Sequence, residues 1–218
     1  MKRSTTLSTL ALASALALAG CGTGITEQDT GTGTETSAPG ATSTAPASGE
    51  AISAEHNDAD VMFAQMMLPH HEQAVDMSEM LLAKEDVPAE TRDFAQQVID
   101  AQGPEIERMN AMLAAWDAEP TADGEDMDGM DHGSDAGTDG MMTAEDMQAL
   151  ETAEGEDAAR LYLEQMTVHH EGAVEMARDQ VEQGQNPQAL ELARQVVEDQ
   201  EAEIAEMERM LQELPDGS

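Results

Sequence analysis

The sequence predicts an all-α fold, an antiparallel four-helix bundle made from two duplicated helical hairpins, on three observations. A two-segment unit occurs twice. Every one of the four segments has helical period. Strand signals are missing, since aromatic residues make up only 2% of the chain and alternating β-branched runs do not occur. Neither hairpin is large enough for a core of its own, so each must bury its apolar stripe against the other.

The repeat is read directly. Phe63 to Met77 is FAQMMLPHHEQAVDM, and Tyr162 to Met176 is YLEQMTVHHEGAVEM. An offset of 99 residues superposes Met67, His70, His71, Glu72 and Met77 on Met166, His169, His170, Glu171 and Met176. A second pair follows at an offset of 98, where Gln102, Glu105, Ile106 and Met109 match Gln200, Glu203, Ile204 and Met207. The unit is therefore a hairpin.

Each element has its own signals. Phe63, Met67, His70, Ala74, Met77 and Leu81 form one stripe of three-and-four spacing, and Gln102, Ile106, Met109, Leu113 and Trp116 form another. Pro88 and Pro187 suit first-turn positions, the latter behind Asn186 as a cap, and Gly184 suits a helix end. A short extra helix fits Thr143 to about Thr152. Pro69 and Gly103-Pro104 fall inside helices, where each proline removes an amide donor and predicts a kink.

The N-terminal region reads as targeting. Lys2 and Arg3 precede a short apolar run, Leu7 to Leu18, too short to span a bilayer, and the run ends in Leu18-Ala19-Gly20-Cys21. That pattern predicts a lipoprotein signal over residues 1–20 and a lipid on Cys21, the single cysteine. The chain would then sit on the extracytoplasmic face of the cell membrane, held by its lipid. Residues 22–50 are Gly, Thr, Ser, Ala and Pro, which predicts a disordered tether with a reach of about 30 Å. The bundle domain occupies 51–218, with repeat one at about 57–117, a Met/Asp-rich linker at about 118–142 and repeat two at about 143–214.

Charge bounds the partners. The chain carries 9 Lys+Arg against 46 Asp+Glu, a formal charge of −37, and loses two more positive charges if the signal is cleaved. Such a surface disfavours nucleic acid and anionic headgroups and attracts cations, although it also serves plain solubility.

The chemistry lies in the repeated histidine pair. Residues three and four apart share a helical face, so Met67 with His70 and His71, and Met166 with His169 and His170, gather within one turn each. Met77 and Met176 lie two turns further along. Glu105 and Glu203 on the partner helices can reach in as ligands or orient an imidazole; Glu72 and Glu171 are further candidates. A single buried histidine commonly only packs, and methionine fills core gaps. Four imidazoles in an apolar bundle, however, cost desolvation that a metal would offset. With no thiolate available after lipidation, thioether and imidazole favour copper, as Cu(I) or Cu(II), over zinc. Iron bound by the four glutamates with the histidines, in a di-metal redox centre, is the alternative, and a structural lipoprotein without metal is a third. Met127, Met130, His132, Met141 and Met142 lie in the Gly/Asp-rich linker, where no core exists to fill, and could form a weak copper-collecting loop. Gly-rich phosphate loops, zincin motifs and Ser-centred elbows do not occur, and the sequence specifies no reaction.

The doubled Met-x-x-His-His-x-x-Ala-Val-x-Met motif, with Gln102 to Met109 and Gln200 to Met207, resembles domain of unknown function family 305 over about residues 57–214. That resemblance implies an exported, ferritin-like bundle, and the copper association of some members points to Met67, His70, His71, Met77, Met166, His169, His170 and Met176. The long tether and the Met/Asp-rich linker are not core parts of the family pattern.

Overall fold

A computed structural model describes residues 51–120 and 140–215. Cys21, the signal and tether segments, and Met127, Met130 and His132 lie outside the described residues.

Five helices occur in chain order, and no strand occurs among the described residues. Helix α1 (Asp58–Leu82) starts at a capping box in which Asn57 accepts from the Asp60 amide at 3.0 Å and Asp60 accepts from the Asn57 amide at 2.9 Å. Helix α2 (Ala89–Ala115) begins behind Pro88. Helix α3 (Ala144–Thr152) is the short extra helix, with Thr143 and Asp146 as its capping box. Helix α4 spans Gly155–Gln183. Helix α5 (Pro187–Glu213) has proline in its first turn, and Asn186 accepts from the Gln188 and Ala189 amides. Both α1 and α2 run through Pro69 and Pro104 without interruption, so the lost amides cost hydrogen bonds and not continuity.

Helices α1 and α2 form one hairpin, and α4 and α5 form the other. The hairpins join along α1 and α4, which run antiparallel: Asp60 near the start of α1 meets Gln180 near the end of α4, and Ser78 meets Tyr162. Helices α2 and α5 touch one another far less than α1 and α4 do, so α1 and α4 are the central pair. The result is a four-helix-bundle-like arrangement with α3 lying against α1 and α4.

The apolar stripes predicted for α1 and α2 are the buried ones. Phe63, Met67, Ala74, Met77 and Leu81 are all buried, as are Met109, Leu113 and Trp116, while Ile106 is half-buried. The core falls into two clusters. One holds Phe63, Met67, Met109, Trp116, Met176 and Leu192. The other holds Met77, Phe94, Tyr162, Leu163, Met166 and Met207. The histidine pairs occupy the sequence between Met67 and Met77 and between Met166 and Met176. Antiparallel packing therefore sets all four imidazoles at one level between the clusters.

Three sets of contacts tie the hairpins and the linker together. Asp60, fully buried, accepts from Gln180 Nε2 at 2.6 Å and from the Gln185 and Asn186 amides at 3.1 and 3.0 Å, tying the start of α1 to the α4–α5 turn. Residues 51–56 cross one end: the Ser53 carbonyl accepts from Trp116 Nε1 at 3.0 Å and from Asn186 Nδ2 at 3.1 Å. Gly140 closes the linker onto α4, where a Cβ would fall 2.6 Å from the Val168 carbonyl and 2.9 Å from that of His169. Gln73 then clamps the Met142 backbone, donating to its carbonyl at 2.9 Å and accepting from its amide at 2.7 Å.

Candidate metal centre

The imidazoles of His70, His71, His169 and His170 are each 1% exposed or less. His70 and His169 meet across the α1–α4 seam with ring centroids 3.7 Å apart and planes tilted by 40°. His169 and His170 lie 6.3 Å apart. Burial at this depth requires each ring to be neutral or compensated.

Two rings are compensated by carboxylates from the outer helices. His71 Nε2 lies 2.8 Å from Glu105 Oε2, and His170 Nε2 lies 2.7 Å from Glu203 Oε2. An ionised carboxylate can only accept, so Nε2 carries the proton in both rings. Chemistry, rather than a visible hydrogen, assigns this tautomer. In the neutral ring Nδ1 then presents a lone pair. The Nδ1 atoms of His71 and His170 are buried and have no hydrogen-bond partner. Carboxylate on one nitrogen and a bare lone pair on the other is the arrangement of a metal-ligating histidine with its outer support.

His169 differs, because both its nitrogens are buried without a well-formed hydrogen bond. Burial, chiefly, with added repulsion from the neighbouring His70, His170 and His71, holds it well below the usual histidine pKa. The backbone of His70 opposes this only weakly. His169 is therefore a neutral ring with its lone pair available at physiological pH.

The same level holds buried amides. Gln102, one turn before Glu105, has neither side-chain oxygen nor nitrogen bonded, and Gln200, one turn before Glu203, has an unbonded oxygen. On the solvent side Asp199 is pushed up by partial burial and by the charges of Glu105, Glu203 and Glu198, which marks an acidic approach to the layer.

The remaining predicted residues are placed as follows. Met67 and Met166 are fully buried one turn from His70 and His169, and Met77 and Met176 are buried in the flanking clusters. Antiparallel packing puts Met67 with Met176 on one side of the layer and Met77 with Met166 on the other. Glu105 and Glu203 lie behind His71 and His170 as hydrogen-bond partners. Glu72 and Glu171 face solvent. Met141 and Met142 are half-buried at the linker end, where Gln73, two residues after His71, clamps the Met142 backbone to α1.

Among the described residues, no three His, Cys, Asp or Glu side chains surround a point that could hold an ion. His70 and His169 are in ring contact, so a metal here requires thioether donors, ring rotation, or both. The donor set fits a soft ion: neutral imidazole lone pairs, buried thioethers on both sides, and carboxylates held at second rank.

Asp60, Ser78, Tyr162 and Gly140 escaped sequence reasoning. Asn57-x-x-Asp60 is a cap signature, and Gly172 standing where repeat one has Gln73 signals a close backbone approach; Gly140 indeed lies against Gly172. Nothing in the sequence marks the Ser78–Tyr162 bond of 2.8 Å.

A family model described as Domain of unknown function (DUF305) matches residues 60–211. A DUF305 protein of Streptomyces coelicolor, described as secreted, is 36% identical, with 71% of this chain and 91% of that chain covered and a TM-score of 0.63. A DUF305 fragment from Deinococcus radiodurans is 31% identical, covering 72% and 98%, with a TM-score of 0.64. CopM in its Cu(II)-bound form is 31% identical, covering 71% and 96%, with a TM-score of 0.58. The Cu(I)-bound form of CopM gives 29%, the same coverage and a TM-score of 0.55. Among curated proteins none matches.

Proposed function

The chain belongs to the DUF305 family, and from that premise we propose that it binds copper outside the cytoplasm, in the histidine layer between α1 and α4, to sequester the ion or hand it on. The observation that carries this reading is the set of buried imidazole nitrogens without partners, on His71, His169 and His170, beside fully buried Met67 and Met166. Left bare, each such atom costs about 1–3 kcal/mol. A soft cation would recover that cost. Similarity to CopM, whose structures hold Cu(I), Cu(II) and Ag, supports the choice of ion.

The roles divide by chemistry. His71 and His170 offer Nδ1, with Glu105 and Glu203 fixing the tautomer and raising ligand basicity. His70 and His169 bring imidazoles from opposite hairpins to the seam. Met67, Met77, Met166 and Met176 offer thioethers, which favour the monovalent ion. Bound copper would add Lewis acidity and one-electron chemistry; the residues of the layer would provide the binding. A di-iron centre is less well served, because Glu72 and Glu171 face solvent and Glu105 and Glu203 are engaged by histidine. The lipid on Cys21 would keep the site at the outer membrane face, and Met127, Met130, His132, Met141 and Met142 would supply a weaker second set of donors.

Competitive Cu(I) titration against a coloured chelator tests the reading. Wild type should bind with an affinity that collapses when His70, His71, His169 and His170 become alanine. A helical circular dichroism spectrum must certify that variant, with H169A and H170A alone as milder versions. Equal stoichiometry and affinity across all of them would exclude the layer.

A further inference from the structure

The four imidazoles are sealed from water, so an ion must have a way in. The outer face of α1 offers one that the repeat does not duplicate. Met62, Met66 and His70 are spaced by four, which places them on one helical face, turn above turn. Their exposure falls inward along that line: Met62 is 42% exposed, Met66 is half-buried against the core, and His70 is 1% exposed. In a helix each side chain leans toward the preceding turn, so the His70 ring leans toward Met66, and Met66 toward Met62. Pro69 has no amide to donate to the Gln65 carbonyl, so the turn that carries Met66 is held by one hydrogen bond fewer.

Packing does not require a large apolar side chain at Met62. The second hairpin shows the contrast. The positions matching Met62 and Met66 hold Leu161 and Gln165, which carry no sulfur, and both share a cavity wall with Met142 at the linker end. At these two positions the first repeat carries thioethers and the second carries none.

We infer that Met62 and Met66 form a surface acquisition site for a soft monovalent cation, Cu(I) or its analogue Ag(I), from which the ion passes along α1 to His70. The inference rests on the copper reading above. Two thioethers in series hold such an ion weakly and release it to imidazole and further thioethers deeper in, without a charged ligand that would trap it. The acidic surface raises the local cation concentration at the entrance. Met62 and Met66 therefore set the rate of loading and not its end-point.

The test uses the full chain and follows transfer of Cu(I) from a coloured chelator complex in a stopped-flow instrument. The M62L/M66L variant keeps side-chain volume and should retain its helical spectrum. Its loading should slow about tenfold with stoichiometry and affinity unchanged, and M62L alone should slow it less. In parallel, 13C-methyl methionine spectra of wild type under Ag(I) titration should show the Met62 and Met66 methyls shifting. An unchanged loading rate in M62L/M66L overturns the inference while leaving the histidine layer standing. A loss of bound equivalents in step with the rate overturns it too, because the sulfurs would then be permanent ligands. Should wild type take up no Cu(I) at all, the copper reading falls and the entry site with it.

Discussion

At the scale of single residues the histidine layer works by dividing labour among chemically identical rings. If the layer binds copper as proposed, Glu105 and Glu203 would make His71 and His170 stronger ligands, so their removal should be felt at the metal rather than in the fold. E105Q or E203Q should lower copper affinity by about 10–100-fold, measured by chelator competition, with little change in the unfolding midpoint. His169 has the opposite character, having no carboxylate. Its pKa lies well below the ordinary value, which it regains near 6.5 when the chain unfolds. The unfolded state therefore binds more protons once the pH drops below about 6.5, and stability must fall as the pH is lowered from there. Urea midpoints of the metal-free protein at several pH values should show a decline that is shallower in H169L. The pairing His-His was legible because it repeats in register. That Glu105 and Glu203 could orient an imidazole was legible; that they would meet His71 and His170, while His70 and His169 touch, was not, because sequence spacing fixes a helical face but not which partner each ring meets across it.

At the scale of elements, periodicity carried the helices. The stripe from Phe63 to Leu81 is buried throughout, and Asn186 and Pro187 open α5 as their residue types demand. Pro69 and Pro104 lie inside continuous helices, since neighbouring turns and tertiary packing hold each helix across one missing bond. The joints between elements were less readable. Asp60 illustrates why: as a cap residue it is local and visible, but its second job, binding the Gln185 and Asn186 amides more than a hundred positions away, depends on how the hairpins dock. D60A would strand those buried donors. It should destabilise the domain by about 3–5 kcal/mol in urea unfolding, far more than the roughly 1 kcal/mol of an ordinary cap.

At the scale of the molecule, duplication explains why the layer exists. Two hairpins with the same stripe, packed antiparallel, must bring equivalent residues together at the pseudo-twofold centre, and those residues are His70 and His169. Polar residues at the midpoint of a duplicated stripe then face one another instead of a lipid or a solvent surface. The same argument predicts the surplus of carboxylates on the outside, where they repel one another. With a formal charge of −37, the protein should gain thermal stability as salt rises from about 0.01 M to about 0.3 M, because screening weakens that repulsion. A flat salt response would mean that the carboxylates are individually compensated.

Anomalous diffraction from crystals loaded with Cu(I), collected on both sides of the copper edge, addresses the layer itself. The account predicts a peak among His70, His71, His169 and His170, with a sulfur of Met67 or Met166 in reach and Glu105 and Glu203 still behind their imidazoles. Copper found only on surface carboxylates or the linker, with the four rings packed against one another as described above, would contradict it.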